Sequence, residues 1–252
     1  MHEVLQTYLT VMYNDTIKTA DALPMEKMLL HRMKTNYTQI MERNGGEVFC
    51  EQSDMEEFYN HGLLILEWFK KKRGMYFSKK GYELVGIEVP VDYDLPNKIK
   101  FIGYIDVIIY DSVRDRYKII DIKTSTMGWN KYQKADKTKT SQLVLYKKYF
   151  AEQYGYDVEN IDIKYMIVKR KLIEGAMFPQ KRITEFMPAS GKPTRNKLAS
   201  SIKSFVDLNF APDGSYIDKQ HVAVAGKNNK HCKWCEFKDQ LDLCPKANRI
   251  KE

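Results

Sequence analysis

The chain has 252 residues, 43% of them hydrophobic and 29% charged, so it can bury a sizeable core and lacks the composition of a disordered protein. Its 41 Lys and Arg against 33 Asp and Glu leave a net charge of +8, which suits a polyanionic partner without demanding one. No run of 18 apolar residues is present and MHEVLQTYLT lacks the order of a signal peptide, which argues against a membrane span and makes a cytoplasmic location the expectation.

The first seventy residues read as helices. Val4, Leu5, Tyr8, Leu9 and Met12 repeat at helical spacing, as do Met25, Met28, Leu29, Met33 and Tyr37, then Phe58, Leu63, Leu66 and Phe69. Pro24 suits the start of the second helix, and Gly45-Gly46 closes it. The methionine-rich stripe reads as core packing. Strand formers dominate Tyr82–Val91, Ile99–Tyr110 and Tyr117–Lys123, the last two joined by a hairpin turn at Asp111–Arg116. A helix over Ser141–Tyr154, a strand over Ile161–Lys169, an edge strand at Ile183–Met187 and a helix over Leu198–Leu208 complete the order. Helices, a three-strand meander, a helix and a further strand predict an α/β fold around a mixed sheet. Residues 1–210 are expected to form the main domain and 211–252 a small appendage containing cysteines.

Asp106 and Asp121 interrupt otherwise apolar strands, and a buried carboxylate needs a hydrogen bond, a cation or a metal. With the turn centred between Val113 and Arg114, Asp106 lies directly across the hairpin from Asp121, about 5 Å apart. Carboxylates that close repel unless a cation bridges them. Lys123, two residues past Asp121, points to the same face. Hard carboxylate ligands favour Mg²⁺, with Mn²⁺ as a substitute. The competing reading is a buried ion pair that cements the sheet. Gly103, three residues before Asp106, allows a close approach of backbone or ligand. Basic runs at Lys70–Arg73, Lys131–Lys139, Lys169–Lys171 and Lys192–Lys197 read singly as solvated faces, and beside an acidic site as holders of phosphates.

Gly103-Tyr-Ile-Asp106, then Asp121-Ile-Lys123-Thr124, then Gln142 and Tyr146 resemble the ordered motifs of RecB-type nucleases of the PD-(D/E)XK superfamily, a group that includes phage exonucleases and CRISPR-adaptation nucleases. The resemblance covers residues 82–170 best and implies a restriction-endonuclease-like core, a mixed central sheet flanked by helices. It implies Asp106 and Asp121 as metal ligands, Lys123 as the catalytic lysine and the Ile122 carbonyl as a further ligand. Gln142 would touch the site or DNA and Tyr146 would support it. Glu88 matches a frequently acidic position, with a salt bridge or surface role as the alternative. MHEVLQTYL resembles the segment in which such nucleases carry a metal-binding histidine, which makes His2 a candidate ligand and raises the expectation of an amino-terminal truncation. His31 and His61 read as surface or core residues.

Cys232, Cys235 and Cys244 fall in the last 21 residues and look like a ligand set rather than a disulfide framework. They resemble the three carboxyl-terminal ligands of the [4Fe–4S] cluster found in several RecB-type nucleases. Cys50 is a possible fourth ligand, and His231 or His221 would complete a Zn²⁺ site instead; free thiols are the remaining reading. Taken together, the expectation is a Mg²⁺- or Mn²⁺-dependent DNA exonuclease of recombination, repair or DNA processing, acting on the DNA backbone. With no P-loop in the sequence, any helicase or recombination partner acting with it would be a separate protein or a missing part. A phage origin would place it in the host cytoplasm. The alternatives are a non-catalytic DNA-binding or scaffold protein, a structure-selective endonuclease and an RNase.

Overall fold

The computed structural model describes residues 1–219 and 223–249. Its amino-terminal helices are α1 (His2–Asn14), α2 (Ile17–Asp21), α3 (Met25–Arg43) and α4 (Gln52–Lys72). The sheet follows as β1 (Tyr82–Asp94), β2 (Lys100–Asp111) and β3 (Arg116–Ser125). After α5 (Lys131–Ala135) and α6 (Lys137–Tyr154) come β4 (Ile161–Lys169), β5 (Ile183–Phe186) and α7 (Lys192–Asn209). The five strands lie in sequence order, antiparallel except for the parallel β3/β4 pair, whose crossover contains α6. The result is the α/β arrangement expected, a mixed sheet with helices on both faces, consistent with a restriction-endonuclease-like fold. Among the described residues no helix is long and apolar enough to cross a membrane.

Each sheet face has its own core. On one side Leu5, Tyr8 and Leu9 of α1 and Ile65, Leu66 and Phe69 of α4 pack on Val107, Ile109, Ile120 and Ile122. On the other, Leu143, Tyr146, Tyr149 and Phe150 of α6 pack on Ile105, Ile108, Ile119, Ile163 and Ile167. Covering both faces accounts for the nearly continuous apolar runs of β2, β3 and β4.

Helix starts differ most from the sequence expectation, and caps are the reason. Helix α6 begins at Lys137, four residues early, because the Asp136 side chain accepts from the Thr138 N–H. Asn130 and Gln133 form a reciprocal capping box that makes the unforeseen α5. Helix α7 starts at Lys192 with Pro193 in its first turn. The stripe assigned to core on α3 is only half buried: Met25 and Leu29 are enclosed, while Tyr37 borders an open groove together with Phe58, which is 39% exposed. From Ala211 the described residues form turns, single-turn helices at Lys227–Asn229 and Lys246–Asn248, and a bridge between Phe210 and Tyr216.

Two neighbouring strands lose their alternation at the same level. In β1, Ile87 packs in the α1 and α4 core, but Val89 belongs to the opposite face. In β2, Ile105 and Val107 likewise belong to opposite faces although two residues apart. The residues at the slips are Glu88 and Asp106. Glu88 has φ +49°, a left-handed conformation that costs an ordinary side chain about 1–3 kcal/mol.

Candidate active site

The hairpin has the register expected for it. Val107 pairs with Ile120 and Asp111 with Arg116, so the next pair in line is Asp106 with Asp121. The ladder stops at Val107–Ile120, however, and the two acids do not face each other as a regular pair. At the slip the Asp106 side chain takes over the ladder's role: the Ile122 N–H donates to Asp106 Oδ2 at 2.6 Å. Ile122 therefore enters the site through its N–H, an atom distinct from the carbonyl that the resemblance implies.

Asp121 is 3% exposed. Lys123 Nζ lies 3.1 Å from its Oδ1 and 2.8 Å from its Oδ2. The closer approach is an ion pair without the direction of a hydrogen bond, so the buried Oδ2 has no proper donor among the described residues. Burial pushes the Asp121 carboxyl up to about 6, a rise that Lys123 opposes and that Asp106 and Glu88 assist. Asp106 is also raised, by burial first, against the pull of the Ile122 N–H and His2.

Lys123 leads to the third motif. Its Nζ donates to Gln142 Oε1 at 3.2 Å, and Gln142 Nε2 donates to the Tyr146 hydroxyl at 3.1 Å, one turn along α6. The Tyr146 ring in turn sits where a side chain at position 103 would be. A Cβ there would lie 2.6 Å from Tyr146 Cε1, which explains the need for glycine at Gly103. The spaced motifs are thus one contact chain, from Asp121 through Lys123, Gln142 and Tyr146 to Gly103.

His2, in the first turn of α1, is close enough to Asp106 for each to shift the other's titration. Burial lowers its imidazole, which favours the neutral form that a metal needs. Gln6, one turn later, was not anticipated from the sequence. It is buried, and its Nε2 donates to Glu88 Oε1 and, at 3.4 Å, to the Asp106 carbonyl. The available signal was its spacing of four from His2 on an amphipathic helix.

Two carboxylates, one of them with an orphaned buried oxygen, a third acid at Glu88 and an imidazole that burial pushes down make a donor set chemically suited to a hard divalent cation. Among the described residues no three His, Cys, Asp or Glu side chains stand grouped as a metal cage, and Lys123 is the cation beside Asp121. The cysteines fit their expected role less well. Cys50, Cys232, Cys235 and Cys244 are free and half-buried, and among the described residues they belong to no group of three metal-ligating side chains, so nothing here supports the implied cluster. His221 lies outside the described residues.

The basic runs divide. Arg170 and Lys171 donate their N–H groups to the Ser125 and Thr126 carbonyls, which places Lys169–Lys171 at the end of β3 just past Lys123. Lys131–Lys139 covers α5 and the start of the helix that presents Gln142, and Lys192–Lys197 opens α7. Lys70–Arg73 instead ties α4 to Asp21. His31 is exposed, and His61 lies half-buried beside Glu57.

A family model, the PD-(D/E)XK nuclease superfamily, matches residues 1–244. No curated protein matches the chain.

Proposed function

The chain belongs to the PD-(D/E)XK nuclease superfamily, and on that premise we propose that it is a divalent-metal-dependent DNA exonuclease with Asp106, Asp121 and Lys123 at its centre. The observation that carries the reading is the convergence of Asp121, Lys123 and Gln142 at the point where β2 and β3 part, with Asp106 anchored on the Ile122 N–H beside them. PD-(D/E)XK nucleases generally use divalent metals such as Mg²⁺. Here Asp106, Asp121, His2 and the Ile122 carbonyl would hold Mg²⁺ or Mn²⁺, which when bound supplies Lewis acidity toward a phosphodiester.

Lys123 is half-exposed between a buried carboxylate and an amide oxygen, so its ammonium stands at the solvent boundary. There it holds the attacking water and stabilises charge developing on the phosphate. Gln142 fixes Lys123, Tyr146 fixes Gln142, and Gln6 fixes Glu88 beside the acids. Lys169–Lys171 and Lys131–Lys139 meet the DNA backbone on either side. Exonuclease action fits basic runs suited to backbone contacts and a sequence without a recognition-helix pattern. Recombination, repair or DNA processing beside a separate helicase, in the cytoplasm, is the setting we assign.

The test is degradation of end-labelled linear and closed circular DNA with Mg²⁺, Mn²⁺ or EDTA, comparing the wild type with Asp121→Ala and Lys123→Ala. Metal-dependent loss of linear DNA alone, absent in both variants, is the expected result. Cleavage of the circle points to an endonuclease, and cleavage that survives both substitutions removes these residues from the chemistry.

A further inference from the structure

An open apolar groove lies beside the candidate site, between the distal half of α3 and the first turns of α4, and encloses about 310 Å³. Two of its wall residues are chain neighbours of the site: Met1 precedes His2, and Thr124 follows Lys123. Its other walls include three aromatic side chains. Tyr37 and Phe49 lie with ring centroids 5.0 Å apart, and Phe58 is covered by the Arg170 guanidinium, 4.4 Å from its ring centroid. Phe49 and Phe58 are 46% and 39% exposed, well beyond what a core position allows.

Arg170 supplies the second observation. Its guanidinium lines the groove, and its buried Nη1 has no hydrogen-bond partner among the described residues, with Glu57 at an ion-pair distance of 3.8 Å. A guanidinium N–H left so costs free energy unless an acceptor arrives. Glu57 is instead held by Lys171 at 2.9 Å, and Lys169 and Lys171 flank Arg170 in the chain.

An occupant must therefore be flat enough to lie against aromatic rings and carry an acceptor on its edge for Arg170. It must also be joined to an anion within reach of Lys123. We propose that the groove receives an unpaired nucleobase of the strand being cut, so that the substrate is single-stranded DNA or a frayed duplex end. Stacking on Phe58 and Phe49 is tolerant of sequence because every base has a π-face, and a base paired in a duplex cannot enter. The inference rests on the nuclease reading for the identity of the strand, and adds which form of DNA the site accepts.

The test is binding in EDTA, where no strand is cut, read by fluorescence anisotropy. The probes are a short labelled oligothymidylate, the same strand with abasic positions, and a blunt duplex of equal length. The proteins are the wild type, Phe58→Ala, Phe49→Ala and Arg170→Gln, with folding checked by thermal melting. The wild type should bind the single strand more tightly than the duplex. Phe58→Ala should weaken single-strand binding about 5- to 150-fold, the loss of one stacked base, and leave duplex binding unchanged. The abasic probe should lose a similar factor with the wild type and nothing further with Phe58→Ala, because one contact is removed only once.

Equal binding of normal and abasic strands overturns the proposal, as does an equal loss of both DNA forms in Phe58→Ala; the groove then takes another class of ligand, such as a protein side chain. Cutting assays separate this from the nuclease reading. A wild type that cuts blunt duplex as readily as single strand, indifferent to abasic positions, removes the base pocket and keeps the nuclease. One that binds bases as described and cuts no DNA does the reverse.

Discussion

Replacing Asp121 by Asn should stabilise the protein in EDTA, and by an amount that depends on pH. The Asp121 carboxyl is 3% exposed and pushed up to about 6 from an ordinary value of 3.8. A carboxyl raised on folding binds its proton more tightly in the native state. Its favourable contribution is complete below the unfolded pKa and is lost as pH rises through the folded one. The rise amounts to about 3 kcal/mol between about pH 4 and pH 6. An amide removes that charge while keeping the shape. That cost is what remains after the attraction of Lys123 has opposed it, so the lost ion pair is already included. The gain is about 3 kcal/mol above about pH 6, or roughly 6–12 °C in melting temperature for a chain of this size. Melting curves of wild type and Asp121→Asn in EDTA at about pH 4 and about pH 8 measure it. Near-identity at the lower pH and a more stable variant at the higher one is the expected pattern. A variant less stable than wild type at the higher pH, or shifted equally at both, would refute the claim that this carboxylate is held ionised at a cost.

The same substitution has a counterpart with metal present: Mg²⁺ should raise the wild-type melting temperature, by about 2.7 kcal/mol of stabilisation at a hundredfold excess over Kd, and leave Asp121→Asn unmoved. Equal shifts in both proteins would place the cation elsewhere. Gly103→Ala drives a methyl group into the buried Tyr146 ring, so it should cost about 1–3 kcal/mol in urea unfolding and lower nuclease activity by loosening Gln142. A neutral result would mean that Tyr146 can move aside. Gln6→Ala takes the donor from Glu88, which is exposed to water, so stability should fall by only about 1 kcal/mol while activity falls about tenfold or more. Equal activity of the two proteins under metal saturation would make Gln6 a purely structural residue.

The meeting of Asp106, Asp121 and Lys123 on β2 and β3 was legible because a charge in an apolar strand stands out, and because the turn at Asp111–Arg116 fixes the register between the two strands. Gln142 and Tyr146 were legible as a spaced motif, though not the reason for the glycine, which is visible only once Tyr146 lies against Gly103. Gln6 was hidden because one polar residue on an amphipathic helix looks like the edge of its apolar stripe. Periodicity placed Tyr37 and Phe58 on helices but gave no sign that they border an open groove. It identifies a shared helix face, but whether anything covers that face depends on where the sheet ends. The early starts of α6 and α7 were masked by lysine runs, which carry no periodic signal, and were set by Asp136 and Pro193.

The slip at Glu88 and Asp106 bears on the choice between a working site and a buried ion pair. A slip in one strand alone would turn all its later side chains to the wrong face. Because β1 and β2 slip at the same level, their pairing survives beyond it, from Val89–Ile105 to Asp94–Lys100. The residues at the slip then belong to neither core, and acids can stand there without full burial. That arrangement has costs: the left-handed backbone of Glu88, the end of the β2/β3 ladder, and across the gap a carboxyl held well above its ordinary range. An ion pair that served only to cement the sheet would require none of these. The pair formed by Arg116 and Asp162, between the neighbouring strands β3 and β4, shows the cheaper alternative, with a regular ladder and two directed hydrogen bonds. Strain, a broken ladder and an under-bonded buried acid meeting at one place favour a site shaped to hold something the polypeptide does not itself supply.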